Sequence, residues 1–219
     1  PEFTMLEWYR QGADYCELMQ ETGELIDRVA GLTGEWQRIS YVDEFNNTFG
    51  FIPKDDFETR RGLLSCFHDF KVYPGPEDEP IHEKIDRLFQ TIIWPNIKRS
   101  GKFMLCEFPI PCASLSKVSA DGRYAERFEA FVGELELCNG FTELVDPNEQ
   151  RRRFMLEAEE RRLAGKEVFP IDEELLSRLA SVASPTYGNA LGVDRLVMLR
   201  ARAQDIDTVH LFPPSERYS

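Results

Sequence analysis

The chain has 219 residues, of which 42% are hydrophobic and 12% aromatic, enough apolar material for the core of one large domain. Acidic side chains outnumber basic ones by 39 to 26, and this formal net charge of −13 argues against a protein that coats nucleic acid by neutralising phosphates. Five scattered cysteines without a C-x-x-C pair, and the lack of any apolar stretch of about eighteen residues, argue against a disulfide framework, a structural zinc site and a membrane span, and they favour the cytoplasm.

The first predicted elements are a strand and a helix. The opening residues, EFTMLEWY, alternate in type and predict a strand over the first eight or nine positions. Apolar residues at helical spacing predict a helix over residues 15–29, which Gly31 ends. Turn-forming residues predict loops at 46–53 and 74–80, with a helix at 58–70 between them.

The strongest helical pattern lies between two prolines, over residues 80–94, with Pro95 at its end. Further strands are expected at 103–108, 124–132, 135–145 and 187–192, and further helices at 146–165, after Asp172, and at 193–200. Helices and strands in separate blocks indicate an α+β fold, an antiparallel sheet flanked by helices. Without a repeat or a long linker, residues 1–219 form one predicted domain.

The segment GNALGVDRLVML carries the first pattern that suggests a ligand site. Small residues recur at Gly188, Ala190 and Gly192, so one face of the strand is nearly bare and a flat ligand can approach the backbone. Arg195 follows in the first turn of the next helix, where its guanidinium could contact a phosphate or stack on an adenine. Close strand–helix packing with a surface arginine explains the spacing equally, and the glycine pattern alone favours it.

Two acidic residues flank a predicted tight turn at Gly133. Glu129 and Glu136 would then lie on adjacent strands with both carboxylates on one face. Such a pair suits Mg²⁺, which takes its other ligands from water and substrate phosphates. A solvent-facing acidic pair fits the same spacing.

A second polar set follows with a period of two. Asn139, Phe141 and Glu143 share a strand face, and a carboxylate beside an aromatic ring and an amide suits recognition of an ammonium group. Glu136 is out of phase with this set, so a β-bulge near Gly140 would be needed to bring it to the same face.

The opening segment offers aromatic candidates. On a strand, Phe3, Met5, Glu7 and Tyr9 share one face. Phe3 could then stack on an adenine opposite Arg195, and Tyr9 could border a side-chain pocket. Taken singly, each residue also fits an ordinary core position.

In this order, the three segments resemble class II lysyl-tRNA synthetases. EFTMLEWY resembles the second half of motif 2, AERFEAFVGELELCNGFTELVDPNEQ the acidic strand region, and GNALGVDRLVML motif 3. The resemblance is closer to their short paralogues, the family called EpmA, PoxA or GenX. These lack the anticodon-binding domain, activate (R)-β-lysine with ATP, and transfer it to a lysine side chain of elongation factor P.

The resemblance implies roles for individual residues. Arg195 and Glu136 would act in catalysis, and Glu129 and Glu136 would hold Mg²⁺. The residues expected beside ATP are Phe3, Glu136, Leu137, Gly192 and Arg195. Those expected to line the pocket for the lysine-like substrate are Tyr9, Asn139, Phe141, Glu143 and Ala190. Glu143 would meet the side-chain ammonium, and Ala190, where lysyl-tRNA synthetases carry glycine, would affect the choice of isomer.

The same resemblance implies elongation factor P and a lysine-like amino acid as partners, with neither tRNA nor a membrane. Motif 1 and the start of motif 2 have no counterpart in the chain, so it is expected to be a piece of a longer, homodimeric protein and inactive by itself. Two alternatives remain at this point. One is the core of a lysyl-tRNA synthetase, and the other is a non-catalytic interaction module.

Overall fold

A six-stranded sheet lies at the centre of the structure, a computed structural model that describes residues 2–213. Its strands are β1 (Met5–Gln11), β2 (Gln37–Ser40), β3 (Lys102–Phe108), β4 (Ala125–Val132), β5 (Leu135–Thr142) and β6 (Thr186–Gly192). They lie in the order β1-β6-β5-β4-β3-β2. All neighbours are antiparallel except β2 and β3, so the expected antiparallel sheet is wrong at one edge, where the sequence does not predict β2.

The helices confirm the α+β prediction. They are α1 (Tyr15–Ala30), α2 (Tyr41–Phe49), α3 (Phe57–Asp69), α4 (Ile81–Leu88), α5 (Trp94–Ile97), α6 (Pro147–Leu163), α7 (Glu173–Leu179) and α8 (Val193–Ala201). Short 3₁₀ turns cover Ile110–Cys112 and Ile206–Val209. No helix among residues 2–213 has the length and apolar character needed to cross a membrane.

Caps explain why several helices begin and end where the sequence predicts. The Asp14 side chain accepts hydrogen bonds from the first turn of α1, and Gly31 ends that helix in a left-handed conformation with φ 72°. Asp146 caps α6 in the same way, and Pro147 occupies its first turn. These side chains complete backbone hydrogen bonds that a helix end otherwise leaves open.

Two predicted boundaries are wrong. Residues 46–49, expected in a loop, belong to α2, because Tyr41, Val42 and Phe45 bury one face of this helix. The helix expected to end at Pro95 continues to Ile97. It does so through a π-helical turn, Phe89–Ile93, which has a wider hydrogen-bonding pattern than an α-helix. Pro95, which cannot donate a backbone hydrogen bond, follows in the first turn of α5.

Separate apolar cores lie on the two faces of the sheet. On one face, α1 and α8 pack over the middle of the sheet through residues that include Leu18, Ile26 and Leu196. On the other face, α2 to α5 pack on β3 and β4, and that core contains no residue of β1, β5 or β6. The half of this second face formed by those three strands is therefore left for the candidate site.

Candidate active site

Strand register brings the three predicted segments together on one face. In one row across the sheet, Glu7 lies opposite Ala190, Ala190 opposite Asn139, and Asn139 opposite Glu129. The neighbouring row consists, in the same strand order, of Tyr9, Gly188, Phe141 and Arg127. Side chains two residues apart on a strand share a face. The rows therefore join the opening segment, the acidic hairpin and the glycine-rich strand in one surface.

The acidic pair lies on the β4–β5 hairpin, as predicted. Phe131 pairs with Glu136 and Ala130 with Cys138, so Leu137 is the extra residue of a β-bulge. This bulge brings Glu136 to the face of Asn139. The sequence requires such a bulge, but the predicted position near Gly140 is wrong.

Leu137 does not offer its side chain to this face. It is 1% exposed and belongs to the core beneath α1, on the opposite side of the sheet. The bulge places two successive residues, Leu137 and Cys138, in that core. Only its backbone remains available to a ligand.

Glu129 is a largely buried carboxylate with two further carboxylates near it. Its pKa is raised to about 7, chiefly by burial, and the Glu136 and Asp86 carboxylates raise it while the Arg127 guanidinium opposes them. One carboxylate oxygen, Oε1, accepts a hydrogen bond of 2.6 Å from Arg127 Nη2. The second oxygen has no hydrogen bond within residues 2–213, and a cleft of about 1490 Å³ between α4 and α6 opens beside the pair.

These carboxylates suit a divalent cation, because a positive charge would offset the electrostatic cost that raises the pKa of Glu129. Within the described part of the chain, no group of three or more His, Cys, Asp or Glu side chains is arranged to hold a metal ion. An ion bound by Glu129 and Glu136 would therefore complete its coordination with water or substrate oxygens, as Mg²⁺ commonly does.

A second carboxylate lies at the other end of the same surface. Glu143 follows β5, and its Oε1 would be only 2.2 Å from a Cβ added to Gly188, while Tyr9 Cε1 would be 2.7 Å from it. The absent side chain of Gly188 thus makes room for Glu143 and Tyr9. Burial raises the pKa of Glu143 to about 7, and no salt bridge reaches it in the part of the chain that the structure describes.

The amide of Asn139 has a defined orientation. Arg127 Nε lies 3.0 Å from Asn139 Oδ1, and because a guanidinium can only donate, the oxygen must face the arginine. The Nδ2 group remains for a substrate. An amide N–H donor binds a carboxylate or carbonyl oxygen, so this orientation favours a substrate carboxylate over the ammonium group that the sequence pattern suggested for this amide.

Arg195 contacts the acidic pair at the start of α8. Its Nη1 donates a hydrogen bond of 2.8 Å to the backbone oxygen of Glu136 and lies 3.8 Å from that residue's Oε2. The two residues predicted to act in catalysis are therefore neighbours. Half of the Arg195 side chain is exposed, which leaves guanidinium donors accessible.

Phe3 lies before β1 rather than within it, so its predicted place on the strand face is wrong. It is 63% exposed. The next residue, Thr4, donates its backbone N–H to Asp194 Oδ2 at 2.6 Å and accepts from Val193 N at 2.9 Å. His210 Nε2 lies 2.9 Å from the other oxygen of Asp194. The two bonds of Thr4 place the backbone that follows Phe3 beside the beginning of α8.

A family model described as tRNA synthetases class II (D, K and N) matches residues 1–216. The chain belongs to this family. Within this class II synthetase family, two similar curated proteins are elongation factor P–(R)-β-lysine ligases, from Vibrio cholerae and from Sodalis glossinidius. Each is 36% identical to the chain over 97% of its length. A lysine–tRNA ligase from Clostridium tetani is 34% identical over the same share.

The chain spans 65% of the length of the two elongation factor P–(R)-β-lysine ligases and 46% of the lysine–tRNA ligase. The family match covers every predicted site residue of the chain, since all lie between residues 3 and 195.

Sequence reasoning missed three residues of this candidate site. Arg127 is on the strand face of Glu129, two residues before it, and that spacing was the only available signal. Asp86 approaches from α4, and the charge of its carboxylate acts on Glu129. Tyr41 is 2% exposed with an unpaired hydroxyl within residues 2–213, and it lines the same cleft. Asp86 and Tyr41 lie near the site because of tertiary packing, which the spacing of residues in the sequence does not reveal.

Proposed function

We propose that the full-length protein containing this chain activates (R)-β-lysine with ATP and transfers it to a lysine side chain of elongation factor P. The Glu143 pocket is the observation that carries the amino-acid part of this proposal. A half-buried carboxylate that has no salt bridge within residues 2–213, bordered by a tyrosine and a glycine, suits the side-chain ammonium of a lysine-like molecule.

The opposite end of the surface supports nucleotide binding. Glu129 and Glu136 would hold Mg²⁺, which supplies positive charge beside the phosphates when it is bound. Arg195 would contact ATP from the other side of Glu136, and Phe3 would stack on the adenine. Gly192 would let the nucleotide lie against the backbone.

Asn139 lies between the two ends, in the row that contains Ala190 and Glu129. Its free Nδ2 would donate to the carboxylate of the amino acid. That carboxylate would then lie between the ammonium pocket and the phosphates, which is the position from which it must react. The enzyme would contribute mainly alignment and charge neutralisation.

The proposed reaction has two displacements. A carboxylate oxygen of the amino acid attacks the α-phosphorus of ATP, the bond to the β-phosphate oxygen breaks, and pyrophosphate leaves. The neutral acceptor amine then attacks the carbonyl carbon of the adenylate, AMP leaves, and the amine loses a proton as the amide forms. No covalent bond to the protein is required.

The acceptor is proposed from the relatives, two of which are named elongation factor P–(R)-β-lysine ligases. The test is incubation of the full-length protein with ATP, (R)-β-lysine and elongation factor P, followed by intact-mass analysis. One lysyl increment on elongation factor P, lost when its acceptor lysine is replaced by arginine, is the expected result. An unchanged mass would contradict the proposed acceptor.

A second candidate is tRNA aminoacylation, which the Clostridium tetani relative named lysine–tRNA ligase supports. Both functions proceed through an aminoacyl-adenylate, and they differ in the acceptor and in the isomer of lysine that is activated. Supplying the same preparation with lysine and bulk tRNA in place of (R)-β-lysine and elongation factor P separates them. Charged tRNA together with unmodified elongation factor P would favour this second candidate.

A further inference from the structure

Arg127 has an unusual number of well-defined partners for a side chain that carries no role in the proposal above. Its Nη2 donates to Glu129 Oε1 at 2.6 Å, its Nε to Asn139 Oδ1 at 3.0 Å, and its Nη1 to the backbone oxygen of Cys112 at 3.1 Å. The guanidinium carbon also lies 4.4 Å from the centre of the Phe108 ring.

These contacts fix the guanidinium from several directions. The Arg127 side chain is 19% exposed, and a buried charge of this kind is stable only when its donors are satisfied. Each of its three nitrogens serves a different group, on β4, on β5 and in the 3₁₀ turn Ile110–Cys112. A planar guanidinium fixed in this way sets the position of the groups that accept its hydrogen bonds.

Two of those groups belong to different parts of the candidate site. Glu129 is one of the carboxylates that suit Mg²⁺, and Asn139 lies beside the amino-acid pocket. Arg127 donates a hydrogen bond to one polar atom of each residue. The other polar atom, Oε2 of Glu129 and Nδ2 of Asn139, has no hydrogen bond within residues 2–213. The same guanidinium thus determines which atom each residue presents to a ligand.

We propose that Arg127 is a positioning residue that couples the metal and amino-acid subsites, by holding Glu129 and Asn139 in the orientations that their ligands require. It contacts neither the nucleotide nor the amino acid itself. Loss of Arg127 releases both side chains together, so both subsites weaken together. This inference rests on the proposed function, because it assigns ligands to the two subsites.

The test uses R127K in the full-length protein, because lysine keeps the charge but cannot bond three groups in a planar fork. Two quantities are measured: calorimetric affinity for (R)-β-lysine without ATP, and the Mg²⁺ concentration at half-maximal ATP–pyrophosphate exchange. We expect each to worsen by about 10-fold or more. R123K is the matched control, since Arg123 precedes β4 in the chain and pairs with Asp43 at the surface.

A second variant, N139D, tests the orientation of the amide. Its carboxylate still accepts from Arg127 but has no N–H donor for a substrate. We expect N139D to keep the unfolding temperature of the wild type and to lose about 10-fold or more in affinity for (R)-β-lysine. This variant remains informative if R127K folds poorly.

The outcomes separate the inference from the function on which it rests. A purely structural Arg127 would give R127K a lower unfolding temperature with both measured quantities unchanged, and that result would overturn the inference alone. Wild-type affinity in N139D would also overturn it. Failure of the wild-type protein to bind either (R)-β-lysine or lysine would overturn the proposed function, and the inference with it.

Discussion

Glu143 is a partly buried carboxylate without a salt bridge in the described part of the chain, and burial disfavours its charged form. An ammonium group in the pocket would instead favour the charged form of Glu143. The burial of Glu143 therefore affects both the stability of the protein without ligand and the class of ligand that the pocket would bind.

The pH dependence of stability follows from the raised pKa of Glu143. The folded value of about 7 lies above the ordinary value of 4.5, so between these values the folded state binds the proton more tightly than the unfolded state. The stabilising contribution of the protonated group is complete below about pH 4.5 and is lost as the pH rises to about 7. The empty protein should lose this contribution over that window.

Denaturant unfolding of the wild type and of E143Q measures the effect. The wild-type free energy of unfolding, minus that of E143Q, should decrease from about pH 4.5 to about pH 7 and then stay level. Subtracting the variant removes the titration of the other groups. A difference that is constant over this range would show that Glu143 is not buried as described.

At the scale of single residues, spacing identified the carboxylates of the candidate site, but it did not identify the arginine that hydrogen-bonds to one of them. Glu129, Glu136 and Glu143 follow from their positions on predicted strands. Arg127 does not stand out among 26 basic residues, because its importance depends on which side chains pack beside it. The phase of Glu136 also required a bulge whose position the sequence does not show.

At the scale of elements, the bare face of β6 determines the shape of the pocket beside Glu143. A Cβ on Gly188 would lie 2.2 Å from Glu143 Oε1, whereas one on Gly192 would be no closer than 3.6 Å to Arg195, an ordinary contact. Two glycines on one strand face therefore serve different ends of the site.

We expect G188A to weaken binding of (R)-β-lysine by about 1–3 kcal/mol, because the methyl group must displace Glu143 and Tyr9. The matched variant G192A should leave amino-acid affinity unchanged, since its methyl group meets only the nucleotide end. Calorimetric titration of the full-length protein without ATP compares the two. Equal losses in both variants would contradict the assignment of separate ends.

Ala190 tests substrate choice on the same strand. It pairs with Glu7 on one side and Asn139 on the other, so its methyl group lies within the floor of the site. We expect A190G to reduce the preference for (R)-β-lysine over lysine, in kcat/KM, by about 1–3 kcal/mol. A130G, on β4 and facing the opposite core, is the control. An unchanged ratio in A190G would remove Ala190 from the specificity determinants.

Local signals predicted most elements, and tertiary packing decided those that were missed. Gly31 and Asp146 mark helix ends by their own chemistry, so the end of α1 and the start of α6 could be located from sequence. The paired asparagines in α2 indicate a turn, yet buried Tyr41 and Phe45 make the segment helical. The π-helical turn before Pro95 likewise depends on how the helix packs.

At the scale of the whole molecule, the site assembles from segments that are far apart in the chain. The opening segment, the β4–β5 hairpin and the β6–α8 junction meet only because the sheet order places β6 between β1 and β5. The net charge of −13 does not describe this surface, where arginines and carboxylates are paired locally. Charge composition excluded a class of function but did not locate the site.

The central claim is that this surface activates a lysine-like amino acid, and amino-acid-dependent ATP–pyrophosphate exchange by the full-length protein tests it most directly. The account predicts exchange that (R)-β-lysine stimulates more strongly than lysine and that E143Q largely abolishes. If neither amino acid stimulates exchange above the rate with ATP alone, the account is contradicted.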